Sequence, residues 1–456
     1  MNASVDTLIQ NAFVVTFDDA LGVISDGAIA IDRGVIVDIG PTADLTARWH
    51  PANRIFASGR IAMPGLTDAH LHTAQTLMRG MLASLQKDRR LRVPTWREYY
   101  VPFEAALREE DVELSGLLAY TSMLTTGTTS FFEAGGPHPS AMARAAEHSG
   151  IRGMVSLSTM DGGDRLPGST VMTTDEAISR NIELVEELPN ATDGSARVSA
   201  AMSLRQIITC TPQLVKTVHD EATARGVKVH THLVEGTYEI DHALERYGRR
   251  PIDYLVELGV FTPTLHGAHS ILASDDDVDL FAQHGVSACH CAKGNYSIGR
   301  APALRMWRRG VDIGLGTDGV ATLGTLDLFR IALLTNVGQQ AIEATPVHNR
   351  NGVRADEPLR MAAIGGSRAM GLGAQTGTLT AGKRADVVLL RTDGPDAAGY
   401  VSEEAFLYEA ATGRDVDTVL VDGDVVVSGG QHRELDLGEL ARTARPRQTE
   451  LLAAIG

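Results

Sequence analysis

Four side chains suited to a metal ion stand in three distant stretches of the chain, each at the downstream end of an apolar, β-branched run. His70 and His72 lie in MPGLTDAHLHT, His232 in VKVHTHLVE and Asp318 in IGLGTDGVA. These are the points at which a barrel strand hands over to a loop. Residues at i and i+2 of a strand project to the same side, so His70 and His72 can grip one ion together. Three imidazoles and a carboxylate fill most of a divalent ion's sphere and leave room for water, as in catalytic rather than structural sites.

The surrounding pattern alternates strand and helix. Candidate strands span 60–68, 128–133, 152–158, 197–203, 226–232, 264–267, 285–290 and 312–318, with amphipathic stretches such as 211–225 between most of them. Eight such units predict an α/β fold, a closed parallel (β/α)8 TIM-like barrel whose functional groups gather at the C-terminal ends of the strands. The four candidate ligands fall on strands one, five and eight. The chain ends read differently. Residues 28–39 form two β-rich runs around Asp32-Arg33-Gly34, 385–390 is strand-like, and 416–430 pivots on Asp422-Gly423, a hairpin signal. A small β-sandwich built from both ends is expected, with boundaries at 1–59 and 374–456 (the latter including a terminal helix) around a barrel over 60–373.

With 43% hydrophobic residues the chain can bury a large core, and a formal net charge of −16 disfavours nucleic acid and anionic membrane surfaces as partners. No apolar run approaches a membrane span, and the first residues lack the basic region and cleavage site of a secretory leader, so a cytoplasmic protein is expected. Cys210, Cys289 and Cys291 are odd in number and lack C-x-x-C spacing, which argues against a disulfide framework. Cys289 and Cys291 share one strand face and are read as packing.

With these residues in place the chain resembles the amidohydrolase superfamily, in its chlorohydrolase, adenosylhomocysteine-deaminase and triazine-hydrolase branch. The resemblance runs through MPGLTDAHLHTAQTLMRG, HTHLVE, LHGAH, GLGTDGVATLGTLDLF and GTLTAGKRADVVLL. It implies that His70, His72, His232 and Asp318 hold the metal, that Glu235 and His266 act in proton transfer and in polarising the substrate, and that Asp318 also accepts a proton from water. Two-metal relatives bridge their ions with a carboxylated lysine from strand four. This chain has no lysine from Asp88 through Val215, so one divalent ion per subunit is expected, zinc first, with iron(II) or another divalent ion compatible. A homodimer or homotetramer is implied as well.

Trp96, Tyr99, Tyr100 and Phe103 crowd one stretch after strand one, where they suit either a pocket wall for a small-molecule substrate or a subunit interface. His290 and Asn295 are further candidate substrate contacts, and His230 is read as support behind the metal ligands. The chain departs from nucleoside-type deaminases after strand four, where a Pro-His-Ser-like segment is replaced by Ala201-Met202-Ser203-Leu204-Arg205, after strand seven, at His290-Cys291-Ala292-Lys293-Gly294-Asn295, and after Asp318, where a polar run becomes Val320-Ala321-Thr322-Leu323, departures that weigh against adenosine-like substrates and toward a less polar one. Arg205 and Lys293 suit anion contacts, with solvated loop charges the preferred reading. The expected chemistry is a mononuclear metal-dependent hydrolase in which metal-activated water displaces ammonia or an amine from an sp² carbon. Deamination of an N-heterocycle leads. Hydrolysis of an amide, urea, carbamate or thiocarbamate, or dechlorination of a chloro-heterocycle, uses the same parts. Retention of every ligand argues against a non-catalytic scaffold.

Overall fold

The structure, a computed structural model, describes residues 3–190 and 196–455. Both chain ends build one nine-stranded sheet. Its hairpins turn where the sequence supplies residues that tolerate positive φ: Arg33 (48°) and Gly34 (75°) between Val23–Asp32 and Val35–Pro41, and Asp422 (50°) and Gly423 (78°) between Val416–Val421 and Asp424–Ser428. The ends meet where Arg60–Pro64 pairs antiparallel with Val387–Arg391, Met63 opposite Val388. Ile9, Ile29, Ile31, Val387, Leu389 and Leu420 fill the core of this layer.

The middle of the chain forms the parallel barrel. Its strands are Leu66–Leu71, Thr128–Glu133, Arg152–Val155, a fourth broken into Val198–Ala200 and Met202–Leu204, then Val229–Leu233, Leu265–His269, Ser287–His290 and Ile313–Leu315. The break at Ala201 lets the first half of strand four pair with strand three and the second half with strand five. The ring closes between strands eight and one through the Asp68 carboxylate and a backbone hydrogen bond. The Thr317 amide and hydroxyl donate to the Asp68 carboxylate at 3.0 and 2.6 Å, and the Asp318 amide donates to the His70 carbonyl at 3.0 Å. Burial still lifts the Asp68 carboxyl to about 7.

The expected strand at 60–68 is in fact two. A side chain at Gly65 would bring its Cβ to 2.0 Å from Thr129 Oγ1, so the chain changes layers at a residue that must be glycine. The strand expected at 264–267 continues to His269, a difference that matters for the site. Helices between strands carry local signals. In Pro212–Arg225 the Thr211 hydroxyl accepts from the Leu214 amide, proline opens the first turn, and Gly226 at φ 66° ends it. At the end of the barrel away from the site, Arg152 is buried in a fork with Asp386 (3.0 and 3.1 Å) and also bonds Asp422, which ties strand three to the terminal sheet. Among the described residues, no helix is long and apolar enough to cross a membrane.

Candidate metal centre and active site

Strands one, five and eight bring the four expected ligands together. His72 Nε2 lies 3.1 Å from His232 Nε2, and Asp318 Oδ1 lies 3.3 Å from His70 Nε2 and 3.7 Å from His72 Nε2. A tetrahedral ion with bonds of about 2.1 Å sets its ligand atoms about 3.4 Å apart, so this spacing suits one ion. His70 Nε2 is buried without a hydrogen-bond partner, as a ligand nitrogen should be before an ion arrives.

The other ring nitrogens fix the tautomers of His232 and His70, whereas His72 Nδ1 is buried without a partner. His232 Nδ1 donates to the Arg205 carbonyl at 2.8 Å, which leaves Nε2 with a free lone pair. His70 Nδ1 lies 2.9 Å from His230 Nε2 and does the same against a second imidazole. Burial holds all three candidate ligand histidines well below their usual pKa, so they are neutral and competent to bind metal at pH 7. Asp318 divides its oxygens, Oδ1 toward the histidines and Oδ2 accepting from Thr322 Oγ1 at 2.9 Å.

Four residues at the ends of these and the neighbouring strand adopt left-handed backbone: Val234 (φ 50°), His269 (70°), Ser270 (48°) and Asp318 (58°). Such angles are costly for non-glycine residues, above all for a β-branched valine, and concentrate where a site dictates side-chain direction. Glu235 follows Val234. Its Oε2 accepts from Gln206 Nε2 at 2.7 Å and from the Tyr238 hydroxyl at 2.9 Å.

His266 lies one level below the metal ligands, opposite His230 in the sheet, with its Nε2 3.1 Å from the Ala69 carbonyl and its Nδ1 3.0 Å from Ser287 Oγ. Both nitrogens are thus engaged by the barrel wall. The imidazole beside the ligands belongs instead to His269, whose ring centroid is 4.7 Å from that of His70 and 5.4 Å from that of His232. Sequence reasoning left His269 unassigned because it ended the strand two residues early. The apolar run through Ala268 was the available signal.

The remaining candidates separate. His290 and Asn295 stand behind His269: Asn295 Oδ1 accepts from His269 Nδ1 at 3.0 Å, its Nδ2 lies 3.0 Å from His290 Nδ1, and His290 Nε2 lies 3.1 Å from the Tyr296 hydroxyl. Tyr99 is buried in the main core, its hydroxyl accepting from the Arg92 amide, and Phe103 is buried there too. Trp96 packs in a separate cluster with Tyr100, Ile208 and Tyr238, the last of which bonds Glu235. The Tyr100 hydroxyl sits 3.5 Å from Thr322 Oγ1, and its pKa is pushed up to about 12 by burial and by the nearby Asp318 carboxylate. The Trp96–Tyr100 turn is π-helical, a widening often found at functional positions. Cys289 and Cys291 are buried with their sulfurs 3.9 Å apart, on one face as expected.

Arg205 corrects a sequence reading. It is not a solvated loop charge but only 4% exposed, its Nη1 2.6 Å from Glu104 Oε2. Neither Glu104 nor its partner Gln75 was singled out in the sequence.

Comparison with known proteins agrees with this geometry. The chain is 32% identical over 451 residues to a 5-methylthioadenosine/S-adenosylhomocysteine deaminase of Nitratidesulfovibrio vulgaris (strain DP4), with 97% of each chain covered. It is 32% identical over 455 residues to a 5'-deoxyadenosine deaminase of Methanosarcina acetivorans, covering 98% of this chain and 99% of the relative. A crystal structure of an adenosine deaminase from Xanthomonas campestris with bound zinc superposes with a TM-score of 0.90 at 27% identity, covering 99% of both chains. A profile for an imidazolonepropionase-like composite domain of bacteria matches residues 27–52, within the terminal sheet. The amidohydrolase family profile matches residues 61–426, and the chain belongs to that family, as a metal-dependent hydrolase of the deaminase type acting on carbon–nitrogen bonds other than peptide bonds.

Proposed function

We propose that the protein deaminates an amino-substituted N-heterocycle of the purine class, with one zinc ion held by His70, His72, His232 and Asp318. Water adds to the ring carbon that bears the amino group. A C–O bond forms, the C–N bond breaks, and ammonia leaves with one of the water's two protons while the other ends on the ring nitrogen, giving the oxo heterocycle. A bound ion supplies Lewis acidity toward water at neutral pH. Asp318, with Oδ2 anchored by Thr322, accepts the first proton. Glu235, braced by Gln206 and Tyr238, carries a proton to the departing nitrogen. His269, oriented by Asn295, takes the polarising role expected of His266, because His266 is engaged by Ala69 and Ser287.

The observation that carries this reading is the approach of three imidazole nitrogens and one carboxylate oxygen at 3.1–3.7 Å beside a braced glutamate. The deaminase relatives, matched over nearly the whole chain, support it. The three buried thiols fit a cytoplasmic protein, and Leu333 and Val337, exposed one turn apart on the helix Leu328–Gln339, fit a homo-oligomer. The test is ammonia release by zinc-loaded protein from aminopurines and their nucleosides. Glu235→Gln should keep the ion and lose about 10²- to 10⁴-fold in kcat. Full activity after exhaustive chelation would overturn the proposal.

A further inference from the structure

Strand five ends at Leu233, and the chain reaches the helix Thr237–Tyr247 through the three-residue link Val234-Glu235-Gly236. Val234 is fully buried and left-handed at φ 50°, an angle that a β-branched residue disfavours. The direction in which Glu235 leaves the strand depends on that angle being held. The first turn of the helix closes back over the link. The Tyr238 hydroxyl donates to Glu235 Oε2 at 2.9 Å, and the Glu235 amide donates to Glu239 Oε2 at 3.0 Å. The Val234 amide is directed at the same Glu239 carboxyl group. A Cβ on Gly236 would collide with the Tyr238 ring, so glycine is what lets the turn fold this tightly.

Glu239 is out of character for its place. A glutamate at the third position of a helix ordinarily faces water, where its charge favours the helix N-terminus, or accepts from the amide of the residue that caps the helix. Here the capping residue is Gly236, yet the carboxyl group reaches one residue further back, to Glu235. Its side chain is fully buried, and Oε1 has no hydrogen-bond partner. Burial, with the Glu235 charge adding to it, raises the carboxyl to about 8, so at neutral pH it is an uncharged acid whose oxygen accepts from the amide. Burying a carboxyl group at this cost calls for a reason, and helix capping does not supply one.

We propose that Glu239 is a positioning residue for the proton shuttle: by holding the Glu235 amide it keeps Val234 left-handed and the Glu235 carboxylate turned toward the metal centre. Glu235 is then gripped twice and separately. Gln206 and Tyr238 hold its carboxylate, while Glu239 holds its main chain. The Glu235 charge is felt at His269 and Tyr100, which places it over the site. Without the Glu239 oxygen the Glu235 N–H is a buried donor with no partner, and Val234 gains by relaxing to an extended angle that swings Glu235 away. This inference rests on the deaminase reading, in which Glu235 moves the proton, and adds to it a residue that acts only through Glu235.

The test follows ammonia release by zinc-loaded protein from adenosine and 5'-deoxyadenosine. Glu239→Leu removes the acceptor and should lower kcat about 10- to 100-fold, with KM within about twofold of wild type and zinc content unchanged. Glu239→Asp keeps the acid but withdraws it by one methylene; it should lose as much, and it takes the place of the leucine variant if that one fails to fold. Glu239→Gln keeps an oxygen at the same reach and should stay within about threefold of wild type. Added to Glu235→Gln, the Glu239→Leu change should cost less than about twofold more, because nothing is left for it to position. Multiplying losses in that double variant, a wild-type kcat in Glu239→Asp, or a Glu239→Gln as slow as Glu239→Leu overturns the inference while leaving the shuttle role of Glu235 intact. A wild-type kcat in Glu235→Gln, or no ammonia release from either nucleoside by the wild-type protein, overturns both.

Discussion

The pairing of His70 with His230 makes a quantitative demand on metal affinity. The two rings meet at 2.9 Å between His70 Nδ1 and His230 Nε2, both residues fully buried. For His70 Nε2 to present a lone pair to an ion, its proton must sit on Nδ1, and His230 is the acceptor for it. Replacing His230 by phenylalanine keeps an aromatic ring beside Phe132, whose centroid is 4.5 Å away, but removes the acceptor. The metal-loaded protein then carries a buried, unpaired N–H at a cost of about 1–3 kcal/mol. The metal-free protein escapes this cost, because His70 can move its proton to Nε2, 3.3 Å from Asp318 Oδ1. The difference falls on binding, so zinc affinity should drop by about 5- to 150-fold at 1.4 kcal/mol per decade. The usual effect of deleting a partner behind a metal ligand, about 10- to 100-fold, is the same size. Competition with a chromophoric chelator at pH 7.5 measures it. His230→Gln, which returns an oxygen acceptor at similar reach, should recover most of the loss. Because the phenylalanine variant also removes the unpartnered His230 Nδ1, the metal-free protein should melt close to wild type. Zinc affinity of His230→Phe within about twofold of wild type would refute the reasoning.

Asn295→Leu removes the acceptor at 3.0 Å that sets the His269 tautomer, and kcat should fall about 10- to 100-fold with zinc content unchanged; an unaffected kcat would take His269 out of the reaction. Glu133 is buried, and burial raises its carboxyl from 4.5 to about 8. Between those values the folded chain binds a proton that the unfolded chain has released, so the contribution of Glu133 to stability is fully present below pH 4.5 and is lost as pH rises toward 8, by up to about 5 kcal/mol at 1.36 kcal/mol per unit. Urea unfolding of Glu133→Gln across this range should show a flatter decline than wild type; identical slopes would contradict the assignment.

What could be read beforehand follows from the range of each interaction. His70, His72, His232 and Asp318 were legible because each interrupts or ends an apolar run, so a local pattern marked both the residue and its place on the barrel rim. The terminal hairpins were legible for a similar reason, since Asp32-Arg33-Gly34 and Asp422-Gly423 encode their own backbone angles. Glu104 and Arg205 were not. They are 101 residues apart, and each alone resembles an ordinary surface charge until the fold buries both. Gly65 was missed because its constraint is a clash with Thr129, on another strand.

That His266 and not His269 stood out in the sequence has a more specific cause. Strand periodicity assigns a face to a residue only while the backbone stays extended. At His269 the backbone turns left-handed, as it does at Val234 and Asp318, so the rule fails at the residues that aim groups into the site. Conformational strain at the rim and the loss of sequence legibility therefore share one origin: the barrel ends its strands in angles that local propensity disfavours, and the surrounding hydrogen bonds must hold them there. Those bonds are identifiable, the Asp318 amide to the His70 carbonyl and the Ser270 amide to the Leu233 carbonyl among them. Each spans two strands, so the direction of every functional side chain at this rim depends on a neighbour distant in sequence, and no single segment of the chain encodes it alone.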